Sequence, residues 1–388
     1  MTDTFVHFDP QLIVAFGDNA LHRLARDLDQ LQCHRAVLFC GKSLGRNEQI
    51  QQKIKQQLGD RLTAIYTSVQ SHTPLDSLGD ARRILSGSCA DAVIALGGGS
   101  AIVTARAAAM ELGEDRNFAE LQTSFPPGGR PIAQRLLKPK LPLFSIPTTP
   151  TTAHVKSGAA ALDRSSRRRV TAVDPTLVAR GVYLDPELIA ATPSTLFLDA
   201  SLNTFAMCVQ GLESAACNPL AQGQLLQGLR LLRDSLVPTH NNQHGIEDRT
   251  NLMIAAILVG LGTNHAPIGL CAALGHCLAA RFGTPTGLSN AVLLPHVMRF
   301  NAPAVGRRLN VLHEIFRAPS TMQPDQICAE FLASLPRPRD LLELGIKPGN
   351  FAMLLSDLRM DWFFHQNPRS ADDAEIVAEV LEPALSHW

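Results

Sequence analysis

Between Asp91 and Arg106 the chain reads DAVIALGGGSAIVTAR, and this stretch constrains the fold more than any other. Val93 to Leu96 is an apolar run of the kind that forms a fully buried parallel strand. It ends directly in Gly97-Gly98-Gly99-Ser100, which an alanine-rich helical segment follows. Strand, glycine loop and helix in that order make a phosphate-binding element. Glycines let the backbone approach a pyrophosphate, and the N–H groups at the helix start face the anion with the favourable end of the helix dipole. The same glycines also suit a tight turn with no ligand. The spacing is not GxGxxG, so the ordinary Rossmann fingerprint does not apply.

The segments around this loop predict an α/β domain. Leu12 to Phe16 reads as a strand closing at Gly17-Asp18, Ala20 to Leu31 has helical spacing of leucines, and Ala36 to Cys40 is a second apolar strand. That strand ends at Gly41-Lys42-Ser43, where a nucleotide-binding domain meets the adenosine ribose. An acidic side chain there would select NAD. Gly41 and Lys42, the candidate contacts, bring no carboxylate, which favours NADPH over NADH without excluding NADH. A helix over Glu48 to Leu58, a strand near Thr63 to Ser68 and a turn at Ser71 to Pro74 lead to the helix before the glycine loop. Beyond it, a Pro/Gly-rich connection from Phe125 to Arg130 precedes a strand over Leu141 to Ile146 that ends in PTTPTT. Thr148, Thr149 and Thr152 offer hydroxyls where open α/β sheets bind ligands, and the alternative is a proline-stiffened turn whose threonines cap the next element.

From Pro193 onward strand-like runs disappear, and leucine/alanine-rich segments of helical spacing continue to the C-terminus, expected to break at Pro238, Pro267, Pro285, Pro303, Pro336 and Pro338. The expected organisation is therefore an α/β domain over 1–192 and an all-helical domain over 193–388. A chain of 388 residues has length enough for both cores. Its formal net charge of 0 gives no reason to expect nucleic acid or a membrane surface as partner. The one basic cluster, Arg164 with Arg167-Arg168-Arg169, reads as a solvated loop or hairpin. The eight cysteines form no CxxC pair and read as reduced, buried thiols of a cytoplasmic protein. The N-terminus has no signal-peptide pattern, and no apolar run is long enough to span a bilayer.

GGGSA at 97–101, IPTT at 146–149, YLDPEL at 183–188 and NAVLLPHVMRFN at 290–301 together resemble the iron-containing (group III) alcohol dehydrogenase superfamily, which includes dehydroquinate synthase-like proteins. The resemblance runs from about Phe5 to beyond Asn301. It is closest to the maleylacetate reductase branch, through LNTFAMCVQGLESAACNPLAQ at 202–222. It implies an N-terminal parallel-sheet nucleotide-binding domain, a C-terminal helical domain, an active site in the cleft between them, NADPH or NADH as cofactor, and a homodimer acting on a small molecule.

This chain departs from the family where the metal is held. The family's four metal ligands, an Asp and three His, fall here on Asn203, Met207, Ala272 and Thr286. An amide, a thioether, a methyl and a neutral hydroxyl make no useful site for Fe(II) or Zn(II), so no metal is expected and these four residues are read as substrate pocket. The Asp and Lys that follow the family's glycine loop become Val103 and Arg106, and Gly-Ser-Glu after IPTT becomes Ala153-His154-Val155. Without a Lewis acid a carbonyl needs a proton donor or an oxyanion-binding group. His276, one helical turn beyond Ala272, is the first candidate and His154 the second, although either suits a satisfied core histidine. His265, in the loop Gly262-Thr263-Asn264-His265, is a further pocket candidate. The expected function is a metal-independent NAD(P)H oxidoreductase on a carbonyl, imine or conjugated substrate in specialised biosynthesis. The alternative is a lyase, cyclase, dehydratase or binding protein that reuses the same fold.

Overall fold

The structure is a computed structural model that describes residues 4–9, 11–126, 130–240 and 245–388. The chain divides into two compact units, Phe8–Pro193 and Ser194–Trp388, the second including the residues ahead of Phe8.

The first unit alternates strands and helices in chain order: β1 (Ile13–Phe16), α1 (Ala20–Gln30), β2 (Ala36–Gly41), α2 (Lys42–Arg46), α3 (Glu48–Leu58), β3 (Leu62–Val69), α4 (Leu78–Gly87), β4 (Ala92–Gly97), α5 (Gly99–Glu114), β5 (Leu143–Pro147), β6 (Gly158–Asp163), β7 (Arg168–Val173), β8 (Gly181–Leu184) and α6 (Pro186–Ala190). Six strands form a fully parallel sheet in the order β1-β8-β5-β4-β2-β3. Both faces of the central strands are covered, as their unbroken apolar runs require. Val37, Phe39, Val93 and Ala95 point to the side of α4 and α5, and Leu38, Cys40, Ile94 and Leu96 to the side of α1 and α3.

The strand order has a consequence for binding. From β2 the chain proceeds to β3 on one side, whereas from β4 it proceeds to β5 on the other, and β2 and β4 are neighbours. Their carboxyl ends therefore diverge at a topological switch point, the place where open α/β sheets leave a crevice for ligands. Gly41 and Gly97 end those two strands.

The basic cluster belongs to the antiparallel hairpin β6–β7: Arg164 and Arg167 lie in its turn and Arg168 and Arg169 open its return strand. Of the Phe125–Arg130 connection, 127–129 lie outside the described residues, as does His244.

The second unit is helical: α7 (Ser194–Glu213), α8 (Pro219–His240), α9 (Ile246–Gly262), α10 (Leu270–Phe282), α11 (Thr286–Val305), α12 (Val311–Phe316), α13 (Pro324–Ala333) and α14 (Phe351–Leu358), with short turns between. Two of the expected breaks are corrected. Pro238 and Pro303 lie inside α8 and α11, each in the last turn, where the missing N–H forfeits one bond back to the carbonyl four residues earlier, and α11 also carries Pro295 at mid-length, so burial and packing outweigh the lost bonds. α7, α10 and α11 are apolar nearly all round and buried, so they form the centre of the unit. The expectation of buried thiols also needs correction: Cys89 is exposed at a left-handed turn and Cys217 half-buried, while the other six are buried. Among the described residues no helix is long and apolar enough to cross a membrane.

Candidate functional site

In the α/β unit the glycine loop sits at the end of β4. Gly97 has φ +137°, which side-chain-bearing residues rarely adopt, and Gly98 is the N-cap residue of α5. The N–H groups of Gly99 and Ser100 fall in the first turn of that helix, where no intrahelical carbonyl reaches them. The end of β5 lies alongside: Gly97 pairs with Pro147, and the N–H of Thr148 donates to the Gly97 carbonyl at 3.0 Å. A Cβ on Gly98 would lie 2.7 Å from the Thr149 Oγ1, and one on Gly99 would lie 3.5 Å from the Thr151 Oγ1. Gly98 is thus a glycine because the threonine loop packs against it, whereas Gly99 has room.

Thr148, Thr149 and Thr152 are all buried, and the Thr148 carbonyl accepts from the Thr192 hydroxyl at 2.8 Å. Gly41 ends the adjacent strand β2, and Lys42, exposed, opens α2, whose Leu44 reaches toward Gly97. The sheet topology therefore gathers Gly41, Lys42, Gly97, Gly98, Gly99, Ser100, Thr148 and Thr149 at the carboxyl edge of the central strands.

A loop that sequence reading passes over as a turn also belongs here. His72 and Thr73 have φ of 60° and 50°, and a β-branched residue in that region is strained. The strain is held by bonds to α5. The His72 N–H donates to the Ser100 Oγ at 3.2 Å, and the Thr73 hydroxyl lies 3.4 Å from the Ser100 carbonyl and 3.2 Å from the Thr104 hydroxyl. Ser100 is therefore committed in part to positioning this loop.

Arg106 and His154, the two novelties of this unit, are both interior groups. The Arg106 guanidinium is fully buried and donates to the carbonyls of Leu177 at 3.0 Å, Gly158 at 2.8 Å and Ala153 at 2.9 Å. It fastens the segment after the threonine loop to α5, and burial pulls its pKa down to about 9. His154 is buried, its Nδ1 bonded to the Ser145 hydroxyl. Burial, with Arg106 nearby, lowers its pKa to about 3, so the ring is neutral at physiological pH and a poor proton donor.

In the helical unit, the four positions that the resemblance assigns to the metal lie on three helices that pack on one another: Asn203 and Met207 on α7, Ala272 on α10 and Thr286 at the start of α11. The Asn203 Oδ1 accepts from the Asn290 Nδ2 at 2.9 Å, and the Asn203 Nδ2 faces the Met207 Sδ at 3.7 Å. A Cβ on Gly287 would lie 1.8 Å from the Asp199 carbonyl oxygen and 2.9 Å from the Asn203 nitrogen, so the turn bearing Thr286 abuts α7. Asp199 fixes that turn through its Oδ1, which accepts from the Leu288 N–H at 3.0 Å, and burial raises the Asp199 pKa. The Ala272 N–H donates to the Gln210 Oε1 at 3.1 Å, which ties α10 to α7. The donor set has one amide oxygen already engaged, a thioether, a hydroxyl and no anionic or imidazole ligand. Such a set does not fit a borderline or hard divalent cation.

His276 lies one turn beyond Ala272, and its Nδ1 is 2.9 Å from the Asp361 Oδ2. The Asp361 Oδ1 accepts from the Phe363 N–H at 2.9 Å, and the Phe363 ring stands 5.4 Å from the imidazole. Asp361 is 85 residues from His276, and no local pattern points to it. His265, the remaining candidate, stacks on His7 at 3.9 Å between ring centroids. Among the described residues one cluster has the spacing of a metal site, Asp340, Glu343 and His387; two of its three members are exposed, and His387 pairs with Asp340 at 3.3 Å.

Residues 10–186 match the family model for iron-containing alcohol dehydrogenase, and residues 197–385 match the model for the C-terminal part of that family. Alcohol dehydrogenase 4 of Saccharomyces cerevisiae is 26% identical over 94% of this chain and 94% of its own. Maleylacetate reductase 1 of Cupriavidus pinatubonensis is 24% identical over 94% of this chain and 93% of its own. The solved structure of an alcohol dehydrogenase from Oenococcus oeni shares the fold with a TM-score of 0.89 at 20% identity, over 98% of this chain and 100% of that one. The maleylacetate reductase from a Rhizobium species shares it with a TM-score of 0.81 at 21% identity, over 99% of each.

Proposed function

Because the chain belongs to the iron-containing alcohol dehydrogenase family, we propose that it is an NAD(P)(H)-dependent oxidoreductase that reduces a small carbonyl, imine or conjugated substrate without the family's metal. The observation that carries the reading is a contrast. The glycine loop ends a strand at the sheet's switch point, whereas Asn203, Met207, Ala272 and Thr286, which the resemblance puts at the metal positions, offer no strong metal ligand. In the α/β unit the first-turn N–H groups of Gly99 and Ser100 suit a pyrophosphate, and the hydroxyls of Thr148, Thr149 and Thr152 suit its polar surroundings.

A reduced nicotinamide, when bound, supplies the hydride. The chain's own residues must then deal with the charge that develops on the substrate. A carbonyl oxygen becomes an alkoxide, and with no cation at the four positions a proton must reach it from a side chain. His276 is the candidate donor, since His154 is neutral and interior. An iminium substrate already carries the positive charge and needs that proton less. A fold of this kind recruited to a new task suits a specialised biosynthetic pathway, in a cytoplasmic homodimer.

Calorimetric titration of the purified protein with NADPH and with NADH tests the reading. One site per chain at micromolar affinity for at least one of them is expected. If neither binds at millimolar concentration, the oxidoreductase reading fails and a non-redox lyase, cyclase, dehydratase or binding role replaces it.

A further inference from the structure

We propose that the strained turn at His72 and Thr73 keeps the N-terminus of α5 open for a pyrophosphate by holding the Ser100 side chain away from it; this rests on the dinucleotide reading above. The first turn of α5 carries two N–H groups, of Gly99 and Ser100, that no intrahelical carbonyl reaches, and its N-cap residue, Gly98, has no side chain to cap them. Ser100 stands in that turn with a hydroxyl of its own. A serine at a helix start bonds to its own or a neighbouring backbone N–H and so satisfies the helix without a ligand. Such a bond competes with an anion for the same donors.

The turn removes that competitor. The His72 N–H donates to the Ser100 Oγ at 3.2 Å, while the Thr73 hydroxyl lies 3.4 Å from the Ser100 carbonyl and 3.2 Å from the hydroxyl of Thr104, one helical turn on. Both turn residues make these contacts at positive φ, 60° and 50°, which a β-branched residue adopts only where its surroundings impose it. The hairpin β6–β7 imposes it here. The Leu162 N–H donates to the Thr73 carbonyl at 2.9 Å, and Arg164 holds Gln70 at 2.7 Å and Asp76 at 3.1 Å, one before the turn and one after it. An outlier braced to two elements at once points to a function for what it fixes, and what it fixes is Ser100. Every residue of the arrangement belongs to the α/β unit.

A double-mutant cycle on the full-length protein, read by calorimetric titration with NADPH and with inorganic pyrophosphate, tests this. Thr73→Val deletes the hydroxyl that ties the turn to α5 and keeps the side-chain shape. It is expected to weaken both ligands about 3- to 30-fold, the worth of one capping bond made by the released Ser100. In a Ser100→Ala background, where no hydroxyl remains to fold back, the same substitution is expected to leave both affinities unchanged. Thr73→Ser, which keeps the hydroxyl, is expected to bind as the wild type does. Should Thr73→Val fail to fold, Thr73→Gly takes its place, since glycine adopts the positive φ without strain. An equal loss in both backgrounds, as a merely structural turn would give, or no loss in either, overturns the proposal. Pyrophosphate binding without dinucleotide binding overturns the oxidoreductase reading alone, while the pyrophosphate cycle still decides this proposal. Binding of neither overturns both.

Discussion

Gly98→Ala isolates one close approach. Gly98 has φ −90° and ψ −160°, an extended conformation open to alanine, so the backbone itself imposes no penalty. The cost comes from the Thr149 Oγ1, which the new Cβ would meet at 2.7 Å, well inside van der Waals contact. Thr149 is buried on the loop after β5, and the next atoms, its Cγ2 at 3.6 Å and Cβ at 3.8 Å, are at ordinary separations. Either the threonine rotates or the β4 and β5 loops part, and overpacking of this kind costs about 1 to 3 kcal/mol. For a unit of this size that corresponds to a fall in Tm of roughly 2 to 12 °C. The assay is a double-mutant cycle by thermal denaturation. In a Thr149→Ala background only the Cβ at 3.8 Å remains, so Gly98→Ala should become nearly neutral, with a coupling of about 1 to 2 kcal/mol. Equal cost in both backgrounds would refute the reasoning. Gly99→Ala is the internal control. Its Cβ would be 3.5 Å from the Thr151 Oγ1 and alanine favours the helix, so stability should stay within about 0.5 kcal/mol while any loss of dinucleotide affinity reports on the phosphate.

Arg106→Met should destabilise the α/β unit by about 3 kcal/mol or more, since it removes three charge-assisted hydrogen bonds, to the carbonyls of Leu177, Gly158 and Ala153; denaturant unfolding followed by circular dichroism reads it. His154 and His296 are held neutral by burial, with pKa values of about 3 and about 4 in the fold, whereas the unfolded chain protonates them near 6.5. The stability they permit is complete above about pH 6.5 and is lost as pH falls toward those lower values, at up to about 1.4 kcal/mol per pH unit for each ring. His154→Gln should flatten the stability profile over that interval. His276→Ala should lower kcat on a neutral carbonyl by roughly 10²- to 10⁴-fold with dinucleotide affinity little changed, and much less on an iminium.

The architecture was legible where local pattern and tertiary demand agree. The buried strand ending in three glycines and the helix over Glu48–Leu58 both read directly, because doubly covered parallel strands must be continuously apolar and helices must repeat every 3.6 residues. Helix breaks at Pro238 and Pro303 did not follow, since a proline within the last turn disturbs few bonds. The chemical site was legible only in part. The family resemblance pointed to the four altered positions and to His276 as candidates, yet their partners in the fold, Asn290 for Asn203, Asp199 for the Thr286 turn and Asp361 for His276, lie 85 to 89 residues away and have no local signature. His72 and Thr73 read as an ordinary turn because strained backbone is visible only in three dimensions. Arg106 and His154 stood near the expected cofactor in sequence, but their burial commits them to the interior.

Hydride transfer without a metal is the property on which the proposed function depends most directly. Protein purified without chelators, analysed for Fe, Zn, Mn and Ni and then assayed with NADPH before and after exhaustive chelation, decides it. The Asn203, Met207, Ala272 and Thr286 set predicts substoichiometric metal and an NADPH-dependent turnover that chelation leaves unchanged. One tightly held metal per chain, whose removal abolishes turnover and whose return restores it, would contradict the account.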